Sequence, residues 1–181
     1  MEQLEQNETT GMATGRRTFL KQVLLGGGVS LLTAVPGVRL ARAAGVTEAL
    51  LLSCMDYRLI DDTERYMFER GLRDRYDHVV LAGASLGAVT EEYPAWRETF
   101  WEHLEISIQL HDIKRVILMD HRDCGAYKVV LGTDLSKTPG FETDTHALRL
   151  TKLKGQISER YPQLAVETLL MALDGSVESV G

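Results

Sequence analysis

Short apolar runs alternate with longer amphipathic segments along most of this 181-residue chain. The runs are apolar at nearly every position, which is typical of strands that are buried on both faces of a sheet. Gly, Pro, Asp or Asn residues follow most of them, as they do where strands end. The pattern predicts four main strands and one further edge strand, at residues 48–55, 78–82, 114–120, 165–173 and 176–180.

The segments between these runs repeat apolar residues at helical spacing, with charged residues in between. They predict helices at about residues 61–76, 91–111, 124–131 and 144–160. Strands that alternate with helices form mostly parallel sheets covered on both faces. Asp174-Gly175 is a strong hairpin signal, so the last strand should return antiparallel along the edge. The predicted fold class is α/β, a mostly parallel four-stranded sheet with an antiparallel edge strand and helices on both faces.

The first 43 residues resemble an export signal rather than part of the fold. A twin-arginine pattern spans residues 15–21, an uncharged Gly-rich stretch spans 22–38, and Ala41-Arg42-Ala43 offers the small residues of a cleavage site. The apolar stretch is interrupted by glycines and by Pro36 and is shorter than the roughly 20 residues of a spanning helix. We therefore expect a cleaved twin-arginine signal peptide (1–43), a single domain (44–181), a periplasmic or other extracytoplasmic location, and no stable membrane insertion after cleavage.

The charge of the chain argues against two classes of partner. It has 20 Lys and Arg residues against 26 Asp and Glu, a net charge of −6, and five of the basic residues but only three of the acidic ones precede residue 44. The predicted domain is therefore acidic and has no basic stripe. Nucleic acid and anionic membrane surfaces are not expected partners.

The only two cysteines lie where two of the predicted strands end. One lies in Cys54-Met55-Asp56-Tyr57-Arg58 and the other in His121-Arg122-Asp123-Cys124-Gly125. If the two strands are parallel neighbours, their carboxyl ends bring two sulfurs and one imidazole into one crevice. Two thiolates and one imidazole leave one open position on a tetrahedral Zn²⁺, as in catalytic zinc sites. A disulfide between the two cysteines is the alternative, because exported proteins commonly form them.

Taken together, the two segments resemble the signature of the β-class carbonic anhydrases. That family has Cys-x-Asp-x-Arg at the end of one strand and His-x-x-Cys at the end of another, and this chain has Cys54-x-Asp56-x-Arg58 and His121-x-x-Cys124. The family also has a mostly parallel sheet with a final edge hairpin. The resemblance therefore covers nearly all of the predicted domain.

The resemblance implies one Zn²⁺ per chain, bound by Cys54, His121 and Cys124, with Asp56 and Arg58 as a catalytic pair. It implies reversible hydration of carbon dioxide to bicarbonate by a zinc-bound hydroxide, in a homodimer or higher homo-oligomer. In that reading, Arg58 keeps Asp56 ionised, and Asp56 accepts a hydrogen bond from the nucleophile. In some family members the aspartate itself occupies the fourth position on the metal.

Two segments depart from the family pattern. Residues 81–87 stand where the family usually has Arg-Asn-Ala-Gly, and Asp120 stands where it usually has glycine before the histidine ligand. These changes leave two alternatives open for the same site. One is hydrolysis of carbonyl sulfide or carbon disulfide, and the other is an exported zinc-binding protein without catalytic activity.

A third alternative comes from Gly83-Ala84-Ser85-Leu86-Gly87, which matches the Gly-x-Ser-x-Gly motif of the α/β-hydrolases. Asp120 or Asp123, followed by His146, would complete a triad in the chain order of that fold. However, α/β-hydrolases have several strands before the nucleophile, and only one is predicted here.

Overall fold

The structure is a computed structural model that describes residues 47–181. The predicted signal peptide therefore lies outside the described residues. The described part contains one five-stranded sheet, with the strand order β2-β1-β3-β4-β5. All neighbouring strands are parallel except β4 and β5, which are antiparallel. The strands are Ala49–Cys54 (β1), Tyr76–Leu81 (β2), Arg115–His121 (β3), Ala165–Met171 (β4) and Val177–Ser179 (β5).

Helices cover both faces of this sheet, and the predicted fold class is confirmed. The helices are Ile60–Glu69 (α1), Ser85–Val89 (α2), Pro94–His111 (α3), Gly125–Leu131 (α4) and Pro139–Arg160 (α5). Short 3₁₀ turns lie at Tyr57–Leu59 and Leu135–Lys137. Between residues 47 and 181, none of the helices combines the length and hydropathy that a membrane span requires.

Strand β1 is apolar throughout because its two faces belong to two different cores. Successive side chains of a strand point to opposite faces. Leu50 and Leu52 accordingly join a large cluster with residues of α3 and α5, whereas Leu51 joins a smaller cluster with Met67 of α1. All three leucines are completely buried. The continuous apolar run was therefore a reliable sign of a central parallel strand.

The structure corrects several predicted boundaries. Helix α1 ends at Glu69 rather than near Tyr76, because Gly71 adopts a left-handed backbone with φ of 73°. Helix α5 begins at Pro139 rather than near residue 144. Proline suits the first turn of a helix, since its fixed φ is helical and its missing N–H would have no partner there. The short helix α2 was not predicted.

Candidate metal centre

The structure brings the three predicted zinc ligands together. Cys54 is the last residue of β1, His121 is the last residue of the neighbouring strand β3, and Cys124 immediately precedes α4. One donor atom from each lies within 4.8 Å of the others, and the two sulfurs are 3.8 Å apart. Both cysteines are free thiols. The pairing of β1 with β3 is what makes this cluster possible, since parallel strands end at the same edge of the sheet.

The orientation of His121 suits a metal ligand. Its Nδ1 atom lies 2.9 Å from the carbonyl oxygen of Arg122, which can only accept, so Nδ1 carries a proton. The other ring nitrogen, Nε2, is buried and has no hydrogen-bond partner within residues 47–181. A buried polar atom without a partner is costly unless a ligand completes it. This orphaned nitrogen beside two sulfurs fits a zinc ion.

The pKa values of the two thiols shift in opposite directions. The hydrogen bond from Cys124 lowers the pKa of Cys54, and His121 and the Gly83 N–H add to this effect against the opposing effect of burial. The pKa of Cys124 is raised, because it donates to Cys54 and because it is buried. Burial lowers the pKa of His121, but the neighbouring Cys54 sulfur reverses this and the net shift is upward. A divalent cation would displace the thiol protons of Cys54 and Cys124 and stabilise both thiolates.

Asp56 and Arg58 form a close pair at the mouth of this cluster. Arg58 donates from Nε to Oδ1 at 3.0 Å and from a terminal nitrogen to Oδ2 at 2.8 Å. These bonds lower the pKa of Asp56 to about 2. Oδ2 of Asp56 lies 3.8 Å from Nε2 of His121, so the carboxylate faces the same space as the ligand atoms.

Arg58 is held from its other side by Asp123, which was not assigned this role from the sequence. The guanidinium donates to Oδ2 of Asp123 at 2.8 Å and to its main-chain oxygen at 2.9 Å. Asp123 has a left-handed backbone with φ of 54°, and its N–H donates to buried Glu142 at 2.7 Å. Glu142 on α5 therefore holds the loop that contains Asp123, and Asp123 in turn holds Arg58. No sequence motif indicated this link.

Asp120 directly precedes His121, and its buried carboxylate has several hydrogen-bond partners. It accepts hydrogen bonds from Ser85 and Tyr127, and Nδ1 of His146 lies 2.9 Å from Oδ2. Ser85 is completely buried and donates to this carboxylate, so Asp120 stands between the serine and the histidine. A catalytic triad requires the imidazole to contact the serine hydroxyl. The geometry therefore does not form the hydrolase triad.

The glycines of the Gly-x-Ser-x-Gly match have structural roles in this fold. Gly83 has φ of 73°, and its N–H donates to the sulfur of Cys54 at 3.3 Å. A Cβ on Gly87 would lie 2.7 Å from the main-chain oxygen of Ala82, closer than side chains approach a backbone. The spacing reflects a tight turn from β2 into α2 rather than a nucleophile elbow.

An apolar cleft of about 340 Å³ opens next to Cys54 and Asp56. Three of its lining side chains, Met55, Tyr57 and Val129, are 64%, 83% and 71% exposed. Trp96, Ala82 and residues of α4 complete the lining. The space suits a small, weakly polar molecule, because Asp56 is the only charged residue among those that line it.

Known proteins are similar to this chain in fold or in sequence. β-Carbonic anhydrase isoform I of the protozoan Trichomonas vaginalis superposes with a TM-score of 0.50 at 16% identity, over 91% of this chain and 94% of that chain. At that identity, the likeness defines the fold as that of a β-carbonic anhydrase. Two uncharacterized proteins, of Rickettsia conorii and Rickettsia bellii, are each 46% identical over 131 residues. The alignments cover 72% of this chain and 70% and 80% of those proteins.

The family model described as "Putative carbonic anhydrase" matches residues 45–181. The chain belongs to this family, as a divergent member of the β-carbonic-anhydrase type.

Proposed function

We propose that this protein is a zinc-dependent carbonic anhydrase that interconverts carbon dioxide and bicarbonate. The observation that carries the proposal is the convergence of Cys54, His121 and Cys124 within 4.8 Å, beside an ionised aspartate and an apolar cleft. Three protein ligands leave one position on zinc for water, the composition of a catalytic rather than a structural site.

Bound zinc would supply the acidity that makes a hydroxide nucleophile available near neutral pH. The protein's own residues would orient the attacking water. Asp56 remains a hydrogen-bond acceptor at all physiological pH values, because Arg58 holds its pKa at about 2. It can therefore orient a proton of the attacking water without taking that proton up. Arg58 in turn cannot swing away while Asp123 holds its other edge.

The apolar cleft also supports a second substrate class. No charged side chain from residues 81–87 replaces the arginine that the family usually has there, and the lining next to Asp56 is largely hydrocarbon. Carbonyl sulfide and carbon disulfide are linear and weakly polar, like carbon dioxide. Hydrolysis of either one at the same site is the alternative that this lining favours.

The test is a stopped-flow assay of carbon dioxide hydration, run on protein whose zinc content has been measured. We expect about one zinc per chain and hydration in the wild type, and loss of both in Cys124→Ser and His121→Ala. The matched control is His103→Ala, because His103 is exposed and its Nδ1 contacts only a main-chain oxygen of its own helix.

Zinc-loaded wild type without hydration would contradict the proposed reaction. Turnover of carbonyl sulfide or carbon disulfide by that protein would then identify the alternative substrates, and inactivity on all three would indicate a zinc-binding protein without this catalysis. Wild type that binds no zinc would contradict the site itself.

The proposal includes a homodimer or higher homo-oligomer, exported by the twin-arginine route. Exposed Met55, Tyr57 and Val129 at the rim of the cleft support an association that covers the rim. Light scattering after size exclusion should show at least two chains per particle. Cell fractionation of the wild type and of a variant with both Arg16 and Arg17 changed to lysine tests export, with retention of the variant in the cytoplasm as the expected result.

A further inference from the structure

Asp120 is a buried carboxylate that the proposed chemistry does not use. Its side chain has no exposed surface, and it directly precedes the ligand His121. Oδ1 accepts the N–H of Ser85 at 2.9 Å, and Oδ2 accepts the hydroxyls of Ser85 at 2.7 Å and Tyr127 at 2.6 Å. Nδ1 of His146 lies 2.9 Å from Oδ2. A carboxylate is rarely buried without such partners, because its desolvation is costly.

The bonds to Ser85 fix the turn that contacts the first ligand sulfur. In this turn the N–H of Gly83 donates to the sulfur of Cys54 at 3.3 Å, and the N–H of Ser85 donates to Asp120. Ala84 between them has φ of 43° and ψ of −103°, a conformation that non-glycine residues rarely adopt. Such strain persists only where neighbouring contacts hold the backbone on both sides. Asp120 supplies the contact on the Ser85 side.

The bond to Tyr127 holds the first turn of α4, which directly follows the second sulfur ligand, Cys124. Tyr127 is the third residue of α4, and the main-chain oxygen of Cys124 accepts the N–H of Lys128 at 3.3 Å, so Cys124 is bonded to this same turn. The hydroxyl of the same tyrosine is tied to Asp120, and its ring packs against His146 with 4.1 Å between ring centroids. The carboxylate of Asp120 therefore anchors the turn that donates to the sulfur of Cys54 and the helix turn that begins after Cys124, and Asp120 directly precedes the third ligand, His121.

We infer that Asp120 is a positioning residue for the metal centre, which holds in place the backbone N–H donor to the sulfur of Cys54 and the helix turn that follows Cys124. Such donors draw charge from a thiolate and orient its lone pairs, and both effects set how strongly sulfur binds a metal. The inference rests on the metal site of the proposed function but not on its substrate.

The test compares two variants with a matched control. Asp120→Asn keeps the size of the side chain but removes its charge, and Tyr127→Phe removes one anchor while keeping the ring packed on His146. The control is Ser107→Ala, which removes a buried hydroxyl bonded to Asp77 away from the ligands. For each protein we would measure zinc affinity by chelator competition, the sulfur-to-metal charge-transfer band of the Co²⁺ form, and thermal unfolding of the metal-free form.

We expect zinc affinity to fall about 10- to 100-fold in Asp120→Asn and Tyr127→Phe, with a shifted cobalt band, as is typical when the groups that hold metal ligands are lost. Ser107→Ala should unfold at a lower temperature but keep the wild-type affinity and band. The inference would be overturned if Asp120→Asn and Tyr127→Phe both kept the wild-type zinc affinity and cobalt band and showed only a lowered unfolding temperature. If Asp120→Asn does not fold, Tyr127→Phe decides alone.

These readouts need no substrate. Wild type that binds zinc but does not hydrate carbon dioxide would therefore overturn the proposed function alone, whereas wild type that binds no zinc would overturn both.

Discussion

Glu142 should control catalysis although it touches neither the metal ligands nor the cleft. It is 3% exposed, and its Oε1 accepts the N–H of Asp123 at 2.7 Å. Asp123 in turn holds the guanidinium of Arg58 through two bonds of 2.8 and 2.9 Å. Replacing Glu142 by alanine leaves Asp123 in a left-handed backbone without the bond that holds it there. We expect the loop to relax and Arg58 to lose this support.

The size of the effect follows from two opposing energies. A hydrogen bond to a charged group contributes about 1.5–3 kcal/mol. A non-glycine residue in the left-handed region costs about 1–2 kcal/mol. Losing the bond while the strain remains should shift the equilibrium from the left-handed loop towards the relaxed loop. The shift should be about 10- to 100-fold, because each ~1.4 kcal/mol is a factor of ten. The hydration rate per bound zinc should fall about 5- to 30-fold if the relaxed loop is inactive, because the remaining strain of about 1–2 kcal/mol then favours that loop by this factor.

The assay is carbon dioxide hydration normalised to measured zinc content, with two controls. Glu142→Gln retains an oxygen acceptor for the Asp123 N–H and should keep most of the rate. Glu178→Ala removes the other glutamate that pairs with Arg122 but leaves Asp123 untouched. Equal hydration rates per zinc in Glu142→Ala and Glu178→Ala would refute the reasoning. Any fall in rate would then come from the lost ion pair with Arg122 rather than from the loop that contains Asp123.

Four further outcomes are expected. Gly87→Ala should destabilise the fold by about 1–3 kcal/mol in urea unfolding, because its Cβ would meet a main-chain oxygen at 2.7 Å. Gly155→Ala, within α5 and with no atom near the new methyl group, should instead stabilise it by up to ~1 kcal/mol. Because Arg58 lowers the pKa of Asp56 to about 2, their pairing stabilises the fold above about pH 4 and is lost as the pH falls towards 2. The difference in unfolding free energy between metal-free wild type and Arg58→Met should therefore shrink over that range, and a constant difference would show that the pair does not titrate. Removal of zinc followed by oxidation should join the two cysteines, whose sulfurs are 3.8 Å apart, and block zinc uptake until a reductant is added. Unhindered uptake by the oxidised protein would contradict this.

The main features of the fold could be predicted because they depend on local patterns. Runs that are apolar at every position indicated buried parallel strands, and polar residues directly after two of those runs indicated a site at their carboxyl ends. The meeting of Cys54, His121 and Cys124 required only that β1 and β3 be neighbours. The pair of Asp56 and Arg58 was predicted from the family signature that the segment 54–58 resembles.

The supporting residues could not be predicted, because each acts through a contact that no local pattern encodes. Glu142 reaches Asp123 from a helix whose first turn contains Pro139 and Gly140, and that turn was interpreted as a loop. His146 was considered as part of a hydrolase triad with Asp120; it does contact Asp120, but the hydroxyl of Ser85 donates to that same carboxylate rather than to the imidazole. A left-handed aspartate such as Asp123 also leaves no signal, since aspartate occurs in every kind of backbone.

The two departures from the family pattern have a common physical explanation in this structure. The segment 81–87 carries no charged side chain to place near the metal, so its contribution to the site is the N–H of Gly83 on the sulfur of Cys54. A backbone donor is useful only if the turn that carries it is rigid. Asp120, where the family usually has glycine, binds that same turn through Ser85. The unusual loop and the unusual carboxylate therefore depend on each other. Restoring glycine at position 120 alone should weaken metal binding rather than improve it, because it would release the turn without returning the missing polar side chains.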